Sequence, residues 1–269
     1  MKSIYNKLRR KLLRGHNDVS SRALNDEKCC DTAPLSVTTR LIPPPASLEG
    51  LPIELQLEIL ESLYDFSSLR ALVHASPSFH YVYISQRHSI LTEILTRDLG
   101  KDVLFDASVV LNAQELDRAS KETEQQTRHL LEQSWEQRPF FDVDVVKRYP
   151  PDRITRLAQF HRTVLYTMED FCKWALSKQP VTGESLASNE PLSPNETQRI
   201  RRALYRLESF YLLFDDSCTY SDSGLQCMDQ THLFLRFLEP WQVEEIACIR
   251  DYLISRYEDV WKSHEEALV

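Results

Sequence analysis

The sequence predicts an all-α protein, and three features support this. Only five glycines occur in 269 residues, and no two of them lie within thirty residues of each other. Leucine, glutamate, arginine and glutamine, which favour helices, are abundant. Apolar residues recur at three- and four-residue steps along much of the chain, as they do on the buried face of a helix. Scattered glycines also exclude dinucleotide fingerprints, P-loops and nucleophile elbows, because each of these needs clustered glycines.

The composition is that of a globular protein in a reducing compartment. Hydrophobic residues make up 42% of the chain and charged residues 27%, so we expect a substantial core. Six scattered cysteines do not form a disulfide framework. The longest apolar run is Phe210 to Phe214, far below the roughly 20 residues of a membrane span. We therefore expect a soluble protein of the cytoplasm, the nucleus or both.

Residues 1–47 are predicted to be a mostly disordered basic tail that ends in a proline-rich linker. Residues 1–14 contain six basic groups and no acidic group, whereas the whole chain carries a net charge of −8, so the remainder carries −14. Ile4, Leu8 and Leu12 lie on one side of a possible first helix. The tail is compatible with a nuclear-import patch, a membrane-surface helix, a mitochondrial presequence or a solvated segment. The acidic remainder argues against nucleic acid as the main partner.

Residues 48–99 are predicted to form a domain of short helices. Leu51, Leu55, Ile59 and Leu63 recur at four-residue steps, and Pro52 occupies a first-turn position that tolerates proline. This spacing predicts the first helix. Three more helices are predicted around residues 65–75, 77–83 and 90–99. Asp65 and Ser67 can cap the first of these, Ser76-Pro77 caps the second, and Gly100 ends the last.

The rest of the chain is predicted to be a helical connector over residues 100–150 and a helical C-terminal region over residues 151–269. The connector contains helices around residues 103–116 and 121–135, and a long helix follows to about residue 176. Ser193-Pro194-Asn195-Glu196 is a capping box that starts the next helix. Residues 215–226 are predicted to be a polar loop, residues 232–238 a short helix, and Pro240 to Trp261 the last helix.

The first domain resembles a known family. The segment from Leu51-Pro52 to Leu63, then Phe66-Ser-Ser-Leu69 with Leu72, then Ala75-Ser-Pro-Ser-Phe79, resembles an F-box of the kind abundant in filamentous fungi. The resemblance lies in the order of these pieces and covers about 30 to 50 of the 269 residues. The C-terminal helices also look like those of such fungal proteins.

The resemblance implies a non-catalytic receptor. F-box proteins dock on the adaptor Skp1, which connects to a cullin and a RING subunit, while the rest of the chain captures a protein substrate for ubiquitin transfer. It implies no catalytic residue, cofactor or metal in this chain. Carried over position by position, the adaptor-binding and core residues are Leu51, Pro52, Leu55, Ile59, Leu60, Leu63, Leu69 and Leu72.

The chain departs from the family pattern after Ala75. The family often has two basic residues and a tryptophan there, whereas this chain has Ser76-Pro77-Ser78-Phe79. The alternative function is therefore a helical interaction scaffold that has the F-box-like fold but does not engage Skp1.

Arginines provide the candidate substrate site. Arg199, Arg202 and Arg206 are predicted to lie on one face of the helix that follows the capping box. Such a cluster could hold an acidic or phosphorylated peptide; the alternative is a solvated helix face. Cys218, Cys227, His232 and Cys248 lack the spacing of a zinc site, so no metal is expected.

Overall fold

The structure is a computed structural model that describes residues 47–116, 123–176, 192–214 and 227–266. Within these ranges the regular structure is helical and includes no strand, which confirms the predicted all-α class. Two short 3₁₀ turns cover Leu48–Gly50 and Arg138–Phe140. The α-helices of the described ranges are α1 (Ile53–Ser62), α2 (Phe66–Ala75), α3 (Pro77–Ser85), α4 (Arg87–Glu115), α5 (Thr123–Gln137), α6 (Asp144–Lys147), α7 (Pro151–Ala175), α8 (Pro194–Leu213), α9 (Cys227–Leu235) and α10 (Pro240–Glu266).

The chain divides into two compact units. Of the described residues, those up to Ile94 belong to the first unit and those from Leu95 onward belong to the second. The predicted connector and the predicted C-terminal region fall within the same unit. Residues 1–46 of the predicted basic tail and the predicted polar loop over residues 215–226 lie outside the described residues.

The first unit contains α1, α2, α3 and the beginning of α4. Helix α3 packs against both α1 and α2. The predicted caps are present, since Asp65 Oδ1 accepts a bond from the amide of Ser68 at 2.8 Å and Ser76 Oγ accepts one from the amide of Phe79. The side chains buried in this unit include Leu60, Leu69, Val73, Phe79, Val82, Ile90, Leu91 and Ile94. Apolar burial around the short α3 therefore supports helices that would be marginal alone.

Helix α4 contains a break at Gly100. The backbone there has φ 64° and ψ 172°, a region open almost only to glycine. Residues 87–99 and 101–115 are therefore two helical arms. The predicted helix end at Gly100 and the predicted helix around residues 103–116 are confirmed by this geometry.

The second unit is organised around α8. This helix packs against α7 and α10, and residues 203–209 are all buried, as are residues 103–111 of α4. The predicted capping box is confirmed, because Glu196 Oε2 accepts a bond from the Ser193 amide at 2.8 Å and Ser193 Oγ accepts one from the Glu196 amide at 3.3 Å. Helix α9 begins and ends earlier than predicted, and α10 continues past Trp261. None of the helices in the described ranges is both long enough and apolar enough to span a bilayer.

Candidate protein-interaction surface

The start of α1 is held by a buried glutamine. Gln56 Nε2 donates to the carbonyl oxygens of Glu49 at 3.1 Å and Leu51 at 3.0 Å, while Gln56 Oε1 accepts a bond from Ser78 Oγ at 2.8 Å. The Pro52 carbonyl accepts the amides that begin α1. One side chain therefore joins the turn before α1 to α3 and sets the position of the Leu51-Pro52 pair. The burial of Gln56 has no local signal in the sequence, because a polar residue within an apolar stripe looks like any solvent-facing position.

The structure divides the predicted adaptor-binding residues into two groups. Leu60 and Leu69 are buried in the core of the first unit. They can support a docking surface but do not form one in this conformation. Pro52 and Leu55 are exposed. The other four are half-buried, namely Leu51, Ile59, Leu63 and Leu72.

Four of these residues form an apolar row along one side of α1 and at its two caps. Pro52, Leu55, Ile59 and Leu63 follow one another at three- and four-residue steps, which places them on the same side of the helix. We call this surface the α1 face. Leu55 leaves 44% of its area open to solvent. A stripe that is apolar and only partly buried is the feature expected of a protein-docking helix.

Further exposed apolar residues lie outside the predicted set. Ile53 and Leu57 flank the buried Gln56 and Leu60 on the side opposite the α1 face, and Ile53 is exposed. On α3, Tyr81 and Ile84 are also exposed. On the same helix, Phe79 and Val82 are buried. Burial depends on which neighbour packs on each side of a helix, so periodicity alone did not separate these groups.

The three candidate substrate-binding arginines differ in their surroundings. Arg206 is 4% exposed, and its Nε donates to Asp106 Oδ2 at 3.1 Å. Arg202 Nη2 donates to both carboxylate oxygens of Glu245, at 2.9 and 2.8 Å. Arg199 is 65% exposed and has its Nε 3.8 Å from Glu245. Arg206 and Arg202 thus make internal ion pairs, and Arg199 has the largest surface available to a partner.

Arg206 belongs to a largely buried cluster that joins α4, α5, the second 3₁₀ turn and α8. Asp106 also accepts a bond from Arg138 Nη1 at 2.7 Å. The guanidinium carbons of Arg138 and Arg206 lie 5.1 and 5.8 Å from the ring centroid of Trp135. Burial lowers the pKa of Arg206, and the Asp106 carboxylate opposes this shift. The Asp106 carboxylate therefore pairs with two guanidinium groups, and the Trp135 ring contacts both of them. These interactions hold the helices together.

A second buried polar cluster surrounds His161 of α7. His161 Nε2 lies 2.7 Å from Asp98 Oδ2, and Nδ1 lies 3.0 Å from the hydroxyl of Tyr205. Arg201 Nη1 approaches Asp98 Oδ1 at 2.9 Å and donates to the Asp98 carbonyl at 2.7 Å. Burial lowers the pKa of His161 and raises that of Tyr205 well above its usual value. We assign a neutral imidazole that donates from Nε2 to Asp98 and accepts the Tyr205 hydroxyl proton at Nδ1.

The pKa of the Asp98 carboxyl is lowered despite burial, which acts in the opposite direction, because His161 and Arg201 both bond to it. The imidazole of His161 is completely enclosed. Asp98, His161 and Tyr205 thus form a hydrogen-bonded chain that resembles a catalytic triad. The imidazole in this chain has no contact with solvent. Its position between α4, α7 and α8 suits a structural role better than catalysis.

Comparison of the chain with protein-family models, with functionally characterised proteins and with experimentally solved structures finds no match.

Proposed function

We propose that the chain is a non-catalytic F-box-type substrate receptor, which links a protein substrate to a Skp1-cullin-RING ubiquitin ligase. The observation that carries the proposal is the α1 face. The Leu51-Pro52 pair opens an amphipathic helix whose buried side packs in a small bundle and whose other side leaves Leu55 open to solvent. Helix docking of this kind depends on a few apolar anchors.

The departure from the family pattern after Ala75 has a local role that is compatible with this function. Ser76 caps α3, Ser78 bonds to Gln56, and Phe79 fills the core of the first unit. These residues therefore support the bundle from within. Adaptor binding in this proposal depends on the α1 face and does not need the missing basic pair.

Co-purification with recombinant Skp1 tests the proposal. Leu55→Asp places a charge in the centre of the α1 face, and we expect it to weaken Skp1 binding by about tenfold or more, since an apolar anchor of an interface contributes at least about 1 to 2 kcal/mol. Ile84→Asp is the matched control, because Ile84 is a 58% exposed apolar residue of the same unit, on α3. Circular dichroism of each variant checks that the helices are retained.

Two results would contradict the proposal. One is that folded wild-type protein fails to retain Skp1, and the other is that Leu55→Asp binds as tightly as wild type. The first result, together with another stable protein partner, would favour the alternative function of a helical interaction scaffold. The observation behind that alternative is the Ser76-Pro77-Ser78-Phe79 segment, which replaces the basic pair of the family.

For substrate capture we propose the second unit, with Arg199 as its most accessible candidate contact. Arg199→Glu should weaken binding of an acidic substrate, whereas Arg250→Glu serves as the control because Arg250 is also an exposed arginine of this unit. Affinity mass spectrometry on wild type and both variants measures this. Equal recovery of every partner by wild type and Arg199→Glu would remove Arg199 from the proposal.

A further inference from the structure

Two serine-proline pairs occur in the sequence, at Ser76-Pro77 and Ser193-Pro194, and no threonine precedes a proline. Both serines cap a helix, Ser76 at α3 and Ser193 at α8. Their exposure is opposite. Ser76 is buried, whereas the four residues 193–196 are all exposed. The fold thus presents the hydroxyl-bearing Ser193 to other proteins and encloses Ser76, although Pro77 beside it is exposed.

Ser193 is the last residue in extended conformation before α8, which begins at Pro194. Ser193 has φ −65° and ψ 155°, which is extended backbone. Its hydroxyl donates to Glu196 Oε2 at 2.7 Å and accepts the Glu196 amide at 3.3 Å. Both contacts lie at the surface and within one helical turn, so opening them requires no change in the core. In the sequence, a further proline stands two residues before Ser193.

We propose that Ser193 is a phosphorylation site for a proline-directed serine/threonine kinase, and that Ser76 is protected from the same enzyme by the fold. This inference goes beyond the proposed receptor function and does not depend on it. In the reaction, Ser193 Oγ attacks the γ-phosphorus of ATP. A bond from Oγ to phosphorus forms, the bond between the γ-phosphorus and the β–γ bridging oxygen breaks, and ADP leaves. The hydroxyl proton passes to a base of the kinase and then to solvent.

Phosphorylation would change the capping box directly. Hydrogen bonds from the side chain and the amide of Ser193 lower the pKa of Glu196, so this carboxylate is charged at neutral pH. A phosphoserine carries about −1.5 to −2 charges at pH 7 and lacks the hydroxyl proton that Glu196 accepts. The two negative groups repel each other at this distance. The Glu196 carboxylate should therefore leave Ser193, and the pKa of Glu196 should rise.

The test uses the full-length folded chain, a recombinant proline-directed kinase of the MAP-kinase class and ATP. Intact-mass and peptide mass spectrometry then locate the phosphate. We expect one phosphate, at Ser193, and none in Ser193→Ala. Pro194→Ala keeps the acceptor hydroxyl and should lower the rate at least tenfold, because the enzyme selects the following proline. An NMR titration of Glu196 before and after modification measures the expected upward shift of its pKa.

Synthetic peptides that cover each serine-proline pair separate the effect of the fold from that of the local sequence. We expect the kinase to modify both peptides. In the folded chain we expect it to modify only Ser193. A folded chain that stays unmodified at Ser193 overturns the inference, whether or not the Ser193 peptide is a substrate. Equal incorporation at Ser76 and Ser193 in the folded chain overturns it as well, since exposure would then not select the site.

Discussion

Gln56 of α1 and Ser78 of α3 are joined by a hydrogen bond of 2.8 Å between Ser78 Oγ and Gln56 Oε1. Both donor hydrogens of the Gln56 amide are also used, on the carbonyls of Glu49 and Leu51. The bond therefore connects the start of α1 to the segment after Ala75, where the chain departs from the F-box pattern. A buried side-chain amide costs little free energy when all its polar atoms are hydrogen-bonded. The loss of one partner leaves a buried polar atom without a hydrogen bond, which destabilises the fold.

Ser78→Ala should destabilise the first unit by about 1 to 3 kcal/mol, because it leaves Gln56 Oε1 buried without its donor. Hydrogen exchange of the α1 to α3 amides, followed by mass spectrometry, measures the change. Gln56→Ala and the double variant complete a mutant cycle, and the two effects should be coupled by about 0.5 kcal/mol or more. Ser62→Ala, which removes an exposed hydroxyl bonded to the Ile59 carbonyl, should stay within about 0.5 kcal/mol of wild type. If the effects of Ser78→Ala and Gln56→Ala simply add in the double variant, the predicted coupling is contradicted.

Acidification should destabilise the second unit through His161. Its folded-state pKa lies below the unfolded value of 6.5, because burial disfavours the charged imidazole. The unfolded chain therefore binds the proton more readily, so the contribution of His161 to stability is present above pH 6.5 and is lost as the pH falls below it. The slope for this group is at most about 1.4 kcal/mol per pH unit. The lowered pKa of Asp98 adds a further loss below pH 3.8.

Urea unfolding at pH 7 and pH 5, followed by tryptophan fluorescence, measures this dependence, since all four tryptophans lie beyond residue 134. His161→Gln cannot titrate and should lose most of the difference between the two pH values. His232→Gln, at an exposed histidine of α9, should keep the wild-type difference. A wild-type protein equally stable at both pH values would be inconsistent with a buried neutral His161.

Asp106→Asn should cost about 3 to 5 kcal/mol, because it leaves the guanidinium groups of Arg138 and Arg206 in the interior without a carboxylate. The same fluorescence-detected unfolding measures this loss. Asp251→Asn is the control, since Asp251 pairs with Arg250 at an exposed position and such pairs contribute about 0 to 1 kcal/mol. Similar losses in the two variants would show that burial of the Asp106 cluster has little effect.

Gly100→Ala should destabilise the protein by about 1 to 3 kcal/mol, since the backbone at Gly100 adopts a conformation that a Cβ atom disfavours. Space is not the cause, because an added Cβ would lie 3.6 Å from Gln198 Nε2, an ordinary contact. The φ angle of Gly50 is not positive, and an added Cβ there would lie 3.7 Å from Ser47 Oγ. Gly50→Ala should therefore be neutral or slightly stabilising. Thermal unfolding followed by circular dichroism compares the two. Equal melting temperatures for both variants would argue against strain at Gly100.

The helical class, most helix starts and the break at Gly100 could be predicted from the sequence. Caps such as Asp65, Ser76 and Ser193 act on amides two or three residues away, so their signals are complete within a short stretch of sequence. The left-handed conformation at Gly100 is likewise a property of one residue. Helices of this kind can be assigned without knowledge of what packs against them.

Which side chains are enclosed and which charges pair depends on how the helices pack, and neither could be predicted from the sequence. Leu55 and Leu60 look equivalent in an apolar pattern, yet Leu60 is buried and Leu55 is open to solvent, because α3 packs on one side of α1 alone. Arg206 and Asp106 are 100 residues apart, and His161 and Asp98 are 63 apart. Such pairs form where packed helices bring distant positions together, and local periodicity contains no information about those distances.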